Sequence, residues 1–177
     1  MTSTSSFTSS ANTYQNCYNV DEGGIFNLVS VTFVDVGSTF RNNQAVKGGV
    51  FRIESSSLSF TSSDFISNYA NEGGTVYMTL SSTFTGRGIR VINSLAYANG
   101  GMICSSDSLG TSTVKVTLDT QSRLSNIKSQ TGNGGSFYLD APEGELRILG
   151  STTVTDSEAT VGRGGLVYIN RAKIIDF

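Results

Sequence analysis

A doubled glycine recurs along the chain, at Gly23-Gly24, Gly48-Gly49, Gly73-Gly74, Gly100-Gly101, Gly134-Gly135 and Gly164-Gly165. The spacings are 25, 25, 27, 34 and 30 residues, and each pair opens a short apolar run. Self-similarity at such a period marks a stack of small units that bury their faces only against one another. The closest pair of units is FRNNQAVKGGVFRI from Phe40 and FISNYANEGGTVYM from Phe65. Looser copies begin at Val91 and Val154, and degraded ones precede Gly23 and Gly134. The shared order is an apolar residue, then Asn or Ser three on (Asn43, Asn68, Ser94, Ser157), then Ala two further (Ala45, Ala70, Ala96, Ala159). The step from that alanine to the first glycine lengthens from three to five residues, as at a turn facing solvent.

After each glycine pair, alternate positions stay apolar. Phe26, Phe51, Val76, Ile103, Phe137 and Val167 hold one slot, and Leu28, Ile53, Met78, Leu139 and Ile169 the next. Between them fall Asn27, Arg52, Tyr77, Cys104, Tyr138 and Tyr168. Period two with one apolar face is a strand signal. Further strands are predicted at Val31, Leu58, Val114 and Leu146, and a third kind in the apolar-x-x-Asn segment. No helical period is found. Three short strands in each unit of roughly 25 residues point to a coil returning to its own edge. The expected fold is all-β: a right-handed parallel β-helix of six to seven coils, with neighbouring coils about 4.8 Å apart.

Stacking fixes a role for each slot. The apolar slots become interior ladders, each buried side chain contributing about 1.5–3 kcal/mol. The second glycine of a pair faces inward where a side chain does not fit, and one of the two is expected to need positive φ. Asn43 and Asn68 are expected to stack at a bend and bond the next coil. Glu22, Lys47 and Glu72 precede three successive pairs, so acid, base and acid would stack.

The units at Phe40, Asn43, Gly48, Gly49 and at Phe65, Asn68, Gly73, Gly74 resemble the polymorphic outer membrane protein repeat. That family carries many copies of Phe-x-x-Asn and of Gly-Gly followed by two apolar residues. The likeness is looser at Gly100, Gly101 and at Gly164, Gly165, and Gly134-Gly135 closes a degraded unit. The resemblance implies a pectin-lyase-like β-helix at a cell surface, often adhesive.

Composition narrows the partners. A formal charge of −2 gives no basic field for nucleic acid or anionic lipid. No apolar stretch reaches the length of a membrane-spanning helix, so no membrane insertion is expected of this segment. The first residues lack the pattern of a signal peptide, and AKIIDF ends within a strand-like pattern. Residues 1–177 are therefore read as one β-helix segment of a longer chain, with Met1 internal or artificial. Cys17 and Cys104 lie several layers apart, so no disulfide is expected between them.

No cofactor, metal site or catalytic group is predicted. Histidine is absent, and no nucleophile with a base, phosphate loop or zinc spacing is present. Asp140, Glu143 and Glu145 cluster around the only proline, with Asp119 expected one coil below and Arg87 and Arg90 on one strand edge. Such exposed acids are ordinarily just solvated. Ser105 to Ser112 is read as an outward loop. Thr111, Thr113 and Thr117, or Thr152, Thr153 and Thr155, do not recur slot by slot as an ice-binding face requires. None of the 13 asparagines begins a glycosylation sequon. The expectation is a structural or adhesive segment of an extracellular or cell-surface protein or filament, stacking head to tail. The alternative is a polysaccharide-binding or polysaccharide-cleaving β-helix, with Tyr138 and Tyr168 as a glycan platform.

Overall fold

The structure is a computed structural model and describes residues 5–107, 110 and 112–177. Met1, and Ser108, Leu109 and Thr111 of the insertion, lie outside the described residues. The chain winds into a parallel β-solenoid of about six turns, with about 26 residues per turn.

The first turn holds β1 (Ser5–Ser10), β2 (Thr13–Gln15) and β3 (Phe26–Val29). The second holds β4 (Val31–Val36), β5 (Thr39–Arg41), β6 (Gln44–Lys47) and β7 (Phe51–Glu54). The third holds β8 (Ser57–Thr61), β9 (Asp64–Ile66), β10 (Tyr69–Glu72) and β11 (Val76–Thr79). The fourth holds β12 (Thr83–Arg87), β13 (Arg90–Ile92), β14 (Leu95–Ala96) and β15 (Ile103–Ser105). The fifth holds β16 (Lys115–Asp119), β17 (Arg123–Ser129) and β18 (Phe137–Asp140). The sixth holds β19 (Glu145–Ile148), β20 (Thr153–Ala159) and β21 (Val167–Arg171), and β22 (Ile174–Asp176) follows.

These strands build three sheets. Sheet A runs β1-β4-β8-β12-β16-β19-β22, and sheet C runs β3-β7-β11-β15-β18-β21. Sheet B stacks the remaining strands and bends along its length, because the apolar-x-x-Asn segment is split into two strands in the second to fourth turns and bent within the single strands β17 and β20. A residue in the left-handed region marks the bend on every turn: Asn16, Asn42, Ser67, Asn93, Asn126 and Asp156, with φ between 52° and 58°. Asn, Ser and Asp reach that region more readily than bulkier residues.

The interior is filled as the slots require. Tyr14, Phe40 and Phe65 stack on sheet B with centroids 5.1 and 5.0 Å apart. Phe26 and Phe51 do the same on sheet C at 5.1 Å. Phe40, Phe51, Phe60 and Phe65 are wholly buried. One strand, β12, carries no clear signal, since Gly86 takes an inward slot in register with Phe60 and Leu118. The side chain of Ile89 fills the space a Cβ there would need.

Candidate functional site

The glycine pairs are corners. The first glycine has positive φ in all six, from 63° to 76°. At the second, a Cβ on Gly24, Gly49, Gly74, Gly101 or Gly135 would overlap the carbonyl oxygen of the next pair's second glycine. Only at Gly165, on the last turn, is the nearest atom distant, Ser157 O at 3.4 Å. Close approach of successive coils therefore dictates glycine here, with no ligand needed to explain it.

The asparagine ladder forms between Asn43 and Asn68, both 1 % exposed. Asn68 Oδ1 accepts from the Asn43 N–H at 3.1 Å and from Asn43 Nδ2 at 3.0 Å. Asn68 Nδ2 donates to Phe40 O at 3.0 Å, and Asn43 Oδ1 accepts from the Cys17 N–H at 3.1 Å. Ser94 turns aside instead, bonding Gly101 O at 2.8 Å and Thr75 Oγ1 at 2.7 Å. The same slot holds buried Ile127 one turn later. The charged column keeps its register, Glu22 with Lys47 and Lys47 with Glu72. Lys47 pairs with Glu22 at 3.4 Å, Arg52 meets the same carboxylate at 3.0 Å, and Lys47 Nζ sits 5.0 Å from the Tyr77 ring centroid.

On the outer face of sheet C, Tyr77, Cys104, Tyr138 and Tyr168 stand in one column. The Tyr138 and Tyr168 rings stack at 5.5 Å and 10°, so each covers one face of the other. Tyr77 and Cys104 are buried although they point away from the core. Burial pushes the Tyr77 phenol up to about 12, against the lowering effect of a hydrogen bond with Ser106. Burial also pushes the Cys104 thiol well up. Both cysteines are free.

The acidic group resolves into ion pairs. Asp140 meets Arg171 at 2.5 Å, Glu143 meets Lys173 at 2.6 Å and Glu145 meets Lys115 at 3.1 Å. Asp119 does not join them. Glu145 is in register with Lys115 at the start of β16, whereas Asp119 ends that strand beside Gly150. Arg87 and Arg90 also part, ending β12 and opening β13 on either side of the Gly88 corner. Arg90 pairs with Asp64 at 2.5 Å. The insertion is not simply outward, for Ser105, Asp107 and Ser112 are buried. Thr117 faces Thr85, but the slot passes to Ser59 on one side and Arg147 on the other, and Thr153 and Thr155 meet Arg123 and Ser125, so none of these threonines forms a slot repeated through the coils.

Two features carry no clear sequence signal. Asp35 lies wholly buried in an inward slot of β4, held by Ser38 Oγ at 2.5 Å and Ser63 Oγ at 2.6 Å. The other is a groove on sheet B. Each left-handed residue bends the sheet, and the bends stack along the solenoid axis. One depression of about 260 Å³ includes Asn16, Asn42 and Ser67, and another of about 280 Å³ includes Asn93 and Asn126. Successive backbone bonds, from Asn42 to Ile66, Ser67 to Ile92 and Asn93 to Ser125, place these residues in one column. Tyr18, Gln44, Tyr69, Leu95 and Lys128 form the adjoining wall, again in unbroken register.

Among the described residues, no group of His, Cys, Asp and Glu is arranged to hold a metal ion, and no helix is long and apolar enough to cross a membrane. No family model, curated protein or solved structure matches the chain. The likeness to the outer membrane protein repeat thus rests on the glycine and asparagine slots alone.

Proposed function

We propose that this chain is a structural, adhesive segment of an extracellular or cell-surface assembly, whose open coils stack on further coils of the same chain or of a second copy. The observation that supports this reading is the pair of open ends. Among the described residues, β1, β2 and β3 at one end, and β22, β20 and β21 at the other, each have a parallel partner on one side only. Unpaired strand edges template further pairing. Apolar side chains of inward slots are left partly bare at both ends: Phe7 is 44 % exposed, Ile169 41 % and Ile175 37 %.

Strand count sharpens the geometry. Sheet A is seven strands deep, whereas sheet C is six and sheet B has six levels. A copy laid on the last turn can meet β20 and β21 with its β2 and β3 only if its β1 yields the level that β22 fills. Removing residues 1–10 therefore makes the two ends complementary. Sedimentation velocity across a concentration series is the test. The shortened chain is expected to form longer linear species than the full one. If both stay monomeric at high concentration, with slow amide exchange in both end turns, the reading fails.

A further inference from the structure

We infer that the groove along sheet B is a binding site for a neutral polysaccharide, laid parallel to the solenoid axis. The inference is independent of end-to-end stacking, since the groove lies on the side of the solenoid. Its floor is a column of short polar side chains, chiefly the amides of Asn16, Asn42, Asn93 and Asn126, all exposed. An amide both donates and accepts, which suits the paired hydroxyls of a sugar ring. Asn93 and Asn126 already bond each other at 2.7 Å, so the column offers an aligned row of such groups. The wall supplies rings. Tyr18 is 71 % exposed and Tyr69 half-buried, with Gln44 between them. Two strand spacings separate the tyrosines, roughly 9.6 Å, close to the length of two extended pyranose units. Each ring presents an apolar face and a polar tip, the combination a sugar needs.

The polymer is favoured by shape. The two depressions together span five turns, about 19 Å between the first and last levels, with an amide or hydroxyl on the floor at each level while the wall passes from tyrosine and glutamine to Leu95 and Lys128. Charge favours a neutral chain, because Lys128 is the only ionic side chain lining the two depressions. A nucleic acid would need several cations to replace its counterions. An extended peptide would seek an open strand edge, but the strands beneath the middle of the groove are paired on both sides.

Calorimetric titration of the full chain with cellohexaose, xylohexaose and mannohexaose tests the site, with hexagalacturonate as the acidic control. At least one neutral hexaose is expected to bind, with Kd between about 10 µM and 1 mM. Tyr18→Ala with Tyr69→Ala should weaken it by about tenfold or more. Asn42→Gly with Asn93→Gly should weaken it by about threefold while leaving the Tm in place, because glycine keeps the left-handed bend. Tyr138→Ala with Tyr168→Ala should leave binding unchanged. The site is refuted by no neutral binding at about 10 mM, by undiminished binding in the Tyr18/Tyr69 variant, or by tighter binding of hexagalacturonate. It is equally refuted if binding is lost with Tyr138 and Tyr168, which would move the sugar to sheet C.

Discussion

Replacing Asn68 by alanine removes the joint on which two turns hang. The buried Asn43 N–H loses its acceptor, and Phe40 O loses the amide that donates to it at 3.0 Å. Asn43 Nδ2 keeps only its 3.3 Å bond to Tyr14 O. A buried polar group left unsatisfied costs about 1–3 kcal/mol. One orphaned N–H and one weakened carbonyl therefore amount to about 2–4 kcal/mol. With a urea dependence of about 2 kcal/mol/M, the unfolding midpoint should fall by about 1–2 M. Its control stands one residue from the partner. Asn42 is exposed with φ 54°, a conformation glycine adopts freely, so Asn42→Gly should shift stability by no more than about 0.5 kcal/mol. Urea titration followed by circular dichroism compares the two. Equal losses would refute the ladder account, as would a midpoint shift below about 0.5 M for Asn68→Ala.

The glycine corners give a second contrast: Gly74→Ala drives a Cβ into the Gly101 and Leu95 carbonyls and should prevent folding to a soluble product, whereas Gly165→Ala should leave the Tm unchanged. Thiol titration of the native protein should label half-buried Cys17 and spare Cys104 until denaturant is added. Tyr77 stabilises the fold while neutral, and its folded pKa lies above its unfolded one. That contribution should persist below about pH 10 and fade as pH rises from the ordinary phenol range towards 12; the alkaline loss, read from urea midpoints, should shrink in Tyr77→Phe.

The glycine doublets and the apolar slots were legible because each repeats a steric demand at adjacent positions. Gly48-Gly49 declares a corner and a close approach without reference to any other turn. The sheet B groove was not legible in this way. Asn16, Asn42, Ser67, Asn93 and Asn126 are different residues serving one backbone conformation, and only their stacking creates a surface. Strand β12 was hidden for a related reason, since its inward Gly86 makes way for Ile89 and breaks the apolar alternation. Asp119 was placed with Asp140 and Glu145 because nearness in sequence carries no information on which end of a strand faces which. The pairing of Lys115 with Glu145 supplies it.

The ladder shows why such a repeat can drift without losing its fold. Asn43 and Asn68 satisfy each other, yet Ser94 takes its partners from its own turn and Ile127 makes no polar demand at all. Each level answers only to its neighbours, as nearest-neighbour coupling in a solenoid requires. A slot can therefore change from amide to hydroxyl to hydrocarbon along the axis, provided no donor is stranded at the change. The serine does this work: bonding Thr75 and Gly101 O, it ends the amide run before Ile127 begins the apolar one. Damage at Asn68 should accordingly stay within the turns of Tyr14, Phe40 and Phe65. Amide exchange in Asn68→Ala should quicken there while β16, β18 and β19 keep their protection.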